Sequence, residues 1–208
     1  VYYLNKVMQS VNPTAGSVTS TTITDDIISG QTALAETPSP TNDEMLISDG
    51  GTLKRLDMKH MMLTPVFAAE KSSAQTISNA TTTKITFDQE IYDPDGTWDA
   101  STNHRFTPGV AGYYLISCHG GMANLADDQF FQLSLYKNGS QINSKDMGFT
   151  VNGADTTQDT YFNFSYPIVS DADDYFEVFG RHSHGSNCNT LDDNRFHING
   201  FKILGAGS

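Results

Sequence analysis

The sequence has few charged residues, and most of these are acidic. Charged side chains make up 17% of the 208 residues, below the roughly 25% that is usual in globular domains. The 24 acidic residues outnumber 12 basic ones, and the longest basic run is Lys54-Arg55. Because binding to phosphate backbones requires clusters of Lys and Arg, the composition predicts no nucleic-acid partner. The net charge of -12 favours solubility.

Cysteines and long apolar runs are also scarce. Cys118 and Cys188 are too few for a disulfide framework, and Cys118 lies in an apolar run where a buried free thiol is expected. No apolar stretch approaches the roughly 20 residues of a membrane-spanning helix, which predicts no membrane insertion. Serine, threonine, asparagine and glycine are abundant instead, as is common in extracellular and virion β proteins.

The N-terminal third has little material for a core of its own. Its first eleven residues place five apolar side chains at helical spacing, namely Tyr3, Leu4, Val7, Met8 and Val11. This pattern predicts about three turns of amphipathic helix. A short helix without neighbours is not stable in water, so this one is expected to pack against another chain or another part of the protein. Residues 13–40 are rich in Thr, Ser, Gly and Pro and are typical of loops or linkers.

A short hairpin is predicted over residues 43–57, DEMLISDGGTLKRLD. An apolar run precedes an Asp-Gly-Gly turn, and a run that alternates apolar and charged residues follows it. A two-stranded hairpin alone is marginally stable in water. We therefore expect the hairpins of neighbouring chains to pack together through Met45, Ile47, Leu53 and Leu56. The alternative is that each hairpin packs as an extra edge on its own chain.

From residue 66 onward the sequence is typical of an all-β domain. Short alternating or β-rich runs are separated by Gly, Asn, Asp and Pro, and Asn138-Gly139 is a strong hairpin signal. Many short strands in roughly 140 residues predict an antiparallel jelly-roll sandwich. We place the boundary near Pro65, with residues 1–65 as an oligomerisation and attachment segment and residues 66–208 as a jelly-roll head.

Five motifs within residues 66–204 and the adjoining Pro65 resemble the globular head of complement component 1q, one of the tumour necrosis factor-like jelly rolls. They are PVFAA, ITFDQEIYDPDGTWDASTNHRFTPGVAGYYLIS, LSLYKNGSQI, DADDYFEVFG and RFHINGFKIL, in that order. The matching positions include Phe106, Pro108, Gly112, Tyr114, Phe196, Gly200 and Phe201. Leu115-Ile116 departs from the aromatic alternation frequent in that family. The resemblance implies a homotrimer, in which the three hairpins would pack together.

Residues 43–61, DEMLISDGGTLKRLDMKHM, resemble a segment of tail-fibre and fibre-like proteins of marine bacteriophages, where it often precedes a C-terminal receptor-binding domain. The two resemblances together imply a trimeric phage fibre or adhesin located in the virion. Its N-terminal segment would join other virion proteins, and its head would bind a glycan or protein on the host surface. The alternatives are a structural virion protein, such as a head fibre or capsid decoration, a glycan depolymerase, or a secreted head-domain protein.

Enzyme motifs are missing from the sequence. It contains no Gly-x-Ser-x-Gly elbow, no His-Glu-x-x-His zinc motif and no phosphate-cradling glycine loop. The carboxylate pairs Asp127-Asp128 and Asp173-Asp174 lie in turn-like stretches, where solvated side chains are usual. We therefore predict no enzyme, since a depolymerase needs two carboxylates opposed across a cleft.

Two stretches have residue types that suit a metal ion. YDPDGTWD places Asp93, Asp95 and Asp99 in a turn, and alternating oxygen ligands suit calcium, which is also bound in head loops of the complement-1q family. RHSHGSNC contains His182 and His184, which on a strand would point to one face, so that a trimer could offer six imidazoles to a transition metal. The alternatives are solvated carboxylates and hydrogen-bonded or solvent-facing imidazoles. The sequence establishes no cofactor, and calcium is a candidate.

The predicted receptor contact lies in the same Asp-rich loop. Its residues are Trp98, Asp99 and Asn103, and Trp98 is the only tryptophan in the chain. An exposed tryptophan in a polar loop often stacks on a sugar or anchors a protein contact. The alternative is that Trp98 closes one end of the barrel.

Overall fold

The computed structural model describes residues 32–36, 39, 42–58, 65–142, 149–153 and 155–205. The chain divides into two compact units between Met58 and Lys59. The predicted N-terminal helix lies outside the described residues, and the predicted boundary near Pro65 stays a prediction. Within the described ranges the chain forms strands and loops. No described helix is long and apolar enough to cross a bilayer.

The first unit contains the predicted hairpin. Strands β1 (Glu44–Asp49) and β2 (Thr52–Asp57) pair antiparallel in register. Gly50 and Gly51 form the two-residue turn with φ values of 56° and 81°. A hairpin turn of this length requires positive φ at both central positions, which glycine adopts without steric cost.

The second unit contains a further fourteen strands among its described residues. The first seven are β3 (Val66–Lys71), β4 (Thr76–Ile77), β5 (Thr83–Lys84), β6 (Gln89–Tyr92), β7 (Trp98–Asp99), β8 (Arg105–Phe106) and β9 (Gly112–Leu125). The others are β10 (Phe130–Lys137), β11 (Ser140–Gln141), β12 (Phe149–Val151), β13 (Gln158–Ser170), β14 (Phe176–His182), β15 (Cys188–Asn189) and β16 (Asp193–Gly205).

Two antiparallel sheets organise these strands. A five-stranded sheet has the order β13-β9-β16-β3-β6, and a seven-stranded sheet has the order β11-β10-β14-β8-β7, with β12 paired to β10 and β5 to β14. Strands β4 and β15 form a separate pair. The crossovers bring strands that are distant in sequence side by side, as in a jelly roll. The prediction of an antiparallel all-β sandwich is confirmed.

Aromatic side chains join the two sheets in a common core. Phe67 of β3 stacks on Trp98 of β7, with ring centroids 4.9 Å apart, and on Phe106 of β8 at 4.4 Å. Phe131 of β10 meets Phe196 of β16 edge-on at 6.4 Å. All five rings are buried. Contacts between the inner faces of two sheets are what hold a β sandwich together.

Both cysteines are buried and free, which confirms the expectation for Cys118. Cys118 belongs to the hydrophobic core between the sheets, and burial raises the pKa of its thiol. The Cys188 thiol lies 3.1 Å from the backbone oxygen of Ala123, to which it donates a hydrogen bond.

The predicted hairpin at Asn138-Gly139 joins β10 to β11. The two residues have φ values of 53° and 74°, so both central positions again lie in the left-handed region. The Asn138 side chain also contacts a neighbouring loop. Its amide donates to Asp174 at 2.6 Å, and its oxygen accepts from the Tyr175 backbone N–H at 2.9 Å.

Packing of Phe196 against the backbone of β9 requires a glycine at position 120. A Cβ atom added to Gly120 would overlap the Phe196 ring. We expect Gly120→Ala to lower the free energy of unfolding by about 1–3 kcal/mol, the usual cost of overpacking a core. Urea denaturation measures this change. Gly153→Ala is the matched control, because its Cβ meets no atom within 4 Å. Equal losses in the two variants would contradict the packing of Phe196 on β9.

Candidate functional site

Trp98 lies in the core and not on the surface. Its side chain is 5% exposed, it stacks on Phe67, and its indole N–H donates to the Phe87 backbone oxygen at 3.3 Å. The short strand β7 turns this ring inward while its neighbours remain in polar turns. The prediction that Trp98 is an exposed receptor contact is therefore wrong, and the ring fills the space between the sheets.

Asp99 and Asn103 shape the loop that follows Trp98. The Asp99 carboxylate accepts hydrogen bonds from the backbone N–H groups of Ser101, Thr102 and Asn103 and from the Asn103 side-chain amide at 2.7 Å. The Thr102 N–H and the Asn103 amide contribute most to holding the pKa of Asp99 far below its usual range. The Asn103 backbone oxygen accepts from Lys84 Nζ at 3.1 Å. That either residue contacts a receptor stays a prediction.

The three aspartates that suggested calcium do not form one site. Asp93 accepts from the Thr97 hydroxyl at 2.9 Å and from the Trp98 backbone N–H at 2.6 Å, whereas Asp99 closes the next turn. One buried oxygen of Asp95 has no hydrogen-bond partner among the described residues. In the part of the chain that the structure describes, no three His, Cys, Asp or Glu side chains are grouped to hold a metal ion. The predicted calcium cluster is therefore wrong, because its carboxylates cap separate turns.

His182 and His184 do not point to one face of a strand. Strand β14 ends at His182, which is fully buried. Its Nε2 donates to the Ile77 backbone oxygen at 2.9 Å, and its Nδ1 accepts from the His184 backbone N–H at 3.1 Å. His184 Nδ1 accepts from the Ala126 N–H at 3.0 Å, and burial lowers the pKa of His182. The predicted pair of parallel imidazole ligands is wrong, because the protein backbone already occupies these nitrogens.

The apolar side chains of the hairpin are divided between its two faces. Met45 pairs with Leu56, and Ile47 is on the same face because it lies two residues along the strand. Leu53 pairs with Ser48 on the opposite face, together with Leu46. The predicted set of four is therefore not a single face. Leu46 and Leu53 are largely exposed within the described chain.

The five-stranded sheet has an outward face that the sequence analysis did not single out. Along β9, Tyr114, Ile116 and Cys118 point into the core, and the residues between them point away from it. Residues directly opposite on adjacent strands share a face, so the register places these side chains in rows. We call this surface the outer face.

Four rows of side chains cross the outer face. Two are predominantly apolar, and we call them the apolar rows: Leu204–Tyr113–Val169 and Val66–Phe201–Leu115–Pro167. The other two are polar or small: Ala68–Asn199–Ser117–Ser165 and Glu70–His197–His119–Asn163. The outer face therefore changes from apolar at one end of the strands to polar at the other.

A hollow of about 250 Å³ lies at the polar end of the outer face. Its outward side chains belong to Ser117, His119, Asn163, Ser165, His197 and Asn199. His119 and His197 are direct cross-strand partners, and their ring centroids are 5.4 Å apart. Burial, followed by the proximity of His197, lowers the pKa of His119. We call this feature the polar hollow.

The polar hollow was missed because its two histidines come from distant parts of the sequence. His119 ends the alternating run YYLISCH, and His197 lies in the closing strand RFHINGF. Alternation alone could have placed each imidazole on the side opposite the core. That they face each other depends on the register of β9 and β16, which is set by the whole fold.

Comparison with solved structures identifies the fold. The chain is similar to the globular domain of zebrafish complement 1qA protein, with 14% identity and a TM-score of 0.50 over 68% of this chain and 99% of that chain. The second unit therefore has the jelly-roll fold of a complement-1q-like globular domain. The chain also aligns with the Eiger TNF of S. frugiperda, at 12% identity, a TM-score of 0.49 and coverage of 70% and 96%. Murine APRIL aligns at 10% identity and a TM-score of 0.49, with coverage of 68% and 100%.

Comparisons of the sequence itself give no match. No protein-family model matches this chain, and no curated protein matches it. The likeness to the complement-1q head is therefore one of fold.

The position of Trp98 in the core can be tested by its removal. We expect Trp98→Ala to lower the free energy of unfolding by about 3–5 kcal/mol, because the ring leaves a cavity among Phe67, Phe87 and Phe106. Val110→Ala removes an exposed apolar side chain and should change it by less than about 1 kcal/mol. A Trp98→Ala variant as stable as the wild type in chemical denaturation would contradict the burial of this ring.

Proposed function

We propose that this chain forms a homotrimer through its outer face and acts as a non-enzymatic binding head of a phage fibre or adhesin. The apolar rows are the observation that carries the proposal. Val169 is 50% exposed, Tyr113 44% and Leu204 64%, and all three lie side by side in one row. A contiguous apolar patch of this kind is typical of a protein–protein contact.

The two sheets differ in a way that favours the outer face as the contact surface. On the seven-stranded sheet, the outward positions of β10 and β14 include the polar residues Gln132, Ser134, Glu177 and Arg181. They also include three aromatic residues, Phe130, Tyr136 and Phe179. Glu177 is further held in an ion pair with Lys84. The aromatic side chains of that face already have partners, because Tyr136 packs on Phe179 at 4.1 Å and Arg181 lies over Phe130 at 5.4 Å. The apolar rows of the outer face are exposed instead, and a protein contact would stabilise them by removing them from water. Each fully buried side chain of this size contributes roughly 1.5–3 kcal/mol.

The hairpin supports a role in assembly. Its faces carry Met45 and Leu56 on one side and Leu46 and Leu53 on the other, so a single hairpin leaves one apolar set uncovered whichever face it packs. Three copies brought together by their heads would supply the missing partners. In this proposal residues 1–65 form the fibre stem and join other virion proteins.

The assignment to a phage fibre rests on the resemblance of residues 43–61 to fibre segments. The proposed ligand is a glycan or protein on the host surface, and the proposed location is the virion. Three identical heads on one axis raise avidity without new contacts. The structural virion protein and the glycan depolymerase are the rival functions.

The trimer is tested by the mass of the chain in solution. We expect about 68 kDa by light scattering, three times the 22.7 kDa of one chain. Val169→Asp should give monomers, because each copy would bring a charge into an apolar contact. Val151→Asp is the matched control, because Val151 is 49% exposed on strand β12 of the other sheet. A monomeric wild-type chain, or dissociation by Val151→Asp alone, would refute the proposed interface.

The binding function is tested on whole bacterial cells. We expect fluorescently labelled wild-type chain to remain on cells of a susceptible strain, and the Val169→Asp monomer to be washed off, because avidity contributes roughly 10²–10⁴ in apparent affinity. Purified surface polysaccharide incubated with the chain should release no reducing sugar. Sugar release would make the protein a depolymerase. Absence of cell binding, with antibody labelling of the capsid, would make it a structural virion protein.

A further inference from the structure

We propose that His119 and His197 form a binding site for a transition-metal dication of the zinc class. The two imidazoles project into the polar hollow from adjacent strands β9 and β16. Both side chains are partly exposed, so an ion can reach them from solvent. The site lies at the opposite end of the outer face from the apolar rows.

The separation of the rings suits a shared metal ion. Imidazole nitrogens bind zinc at about 2.0–2.1 Å in tetrahedral geometry, so two imidazoles on one ion have centroids roughly 5 Å apart. The centroids of His119 and His197 are 5.4 Å apart, with 36° between the ring planes. The rings of His182 and His184, whose nitrogens contact the backbone, have centroids 6.3 Å apart and an interplanar angle of 71°.

The nitrogens of both rings are available as ligands. Among the described residues, neither imidazole makes a hydrogen bond, in contrast to His182 and His184, whose nitrogens contact the backbone. Burial and the neighbouring His197 lower the pKa of His119, which favours its neutral form. Only the neutral imidazole has a lone pair for a metal.

The charged and titratable groups around the pair are compatible with a cation. Glu70 of β3 is the cross-strand partner of His197, and the Tyr161 ring of β13 stacks on His119 at 5.7 Å. Arg195, a cation on the same strand as His197, is paired with Asp159 at 3.2 Å and Asp192 at 2.7 Å. Its positive charge is therefore largely compensated.

Two imidazoles leave coordination positions open. Structural zinc sites usually have four ligands, and the remaining positions here would be taken by water or by the same residues of neighbouring copies. The inference rests on the proposed trimer only for these additional ligands, because one chain supplies the two histidines.

The test is titration of the full-length chain, without a polyhistidine tag, with Zn²⁺ in a calorimeter. We expect saturable binding that weakens roughly tenfold or more in His119→Ala and in His197→Ala, since even second-shell changes cost 10–100-fold in metal affinity. The matched control is His104→Asn, which removes a histidine outside the polar hollow. Asparagine tolerates the positive φ of 47° at this position. Thermal melts establish that each variant is folded.

Two further readouts make the outcome specific. Cu²⁺ bound to the wild-type chain should show nitrogen coordination by electron paramagnetic resonance, and this signal should be lost in His119→Gln. Zn²⁺ affinity should fall as the pH is lowered, because protons compete with the metal for imidazole nitrogens. Unchanged Zn²⁺ binding in both alanine variants, or no Zn²⁺ binding by the wild type, would overturn the inference.

The Val169→Asp variant separates this inference from the proposed trimer. Zn²⁺ binding by both the wild type and Val169→Asp would show that the pair of one chain suffices. Binding by the wild type alone would show that neighbouring copies complete the site. A trimeric wild type that binds no Zn²⁺ would refute the metal site and leave the proposed trimer intact. A monomeric wild type that binds Zn²⁺ through the pair would refute the trimer and leave the metal site intact.

Discussion

The two-residue alternation along strand β9 is the constraint on which the rest of the head depends. Tyr114, Ile116 and Cys118 occupy the space between the sheets, and this fixes Tyr113, Leu115, Ser117 and His119 on the outside. The register with β13 and β16 then places every neighbouring outward residue. A shift of one residue would exchange the two sets and lose the core. The composition of the outer face is therefore fixed by the same packing that stabilises the fold.

Several of the aspartates stabilise loops by accepting hydrogen bonds within them. Asp93 and Asp99 cap successive turns around Trp98, and Asp174 accepts hydrogen bonds from the Asp171 N–H and from Asn138 while paired with Lys137. Aspartates that close turns and aspartates that bind calcium occur in the same short polar sequences with glycine. This shared local pattern explains why the sequence suggested a calcium site where the structure has turn caps.

The parts of the fold that depend on local chemistry could be predicted. Gly50-Gly51 and Asn138-Gly139 determine hairpin turns by their own backbone preferences, and the β-rich runs predicted the sandwich. Trp98 was placed wrongly because its neighbours are polar, although one residue of a two-residue strand can still turn inward. The His182–His184 hypothesis required a strand through both residues, and β14 ends at the first. The pairing of His119 with His197 depends on contacts between distant segments, which no short stretch of sequence contains.

The two thiols have a consequence for the handling of this protein. Oxidation, alkylation and disulfide exchange require an accessible thiolate, whereas Cys118 is enclosed between the sheets and Cys188 donates to a backbone carbonyl. Both side chains therefore behave as small buried residues that are shielded from reagents in the native fold. The rate at which the two thiols are modified in oxidising surroundings is therefore set by how often the fold transiently unfolds. The rate of labelling by a thiol-reactive dye would measure the frequency of that unfolding.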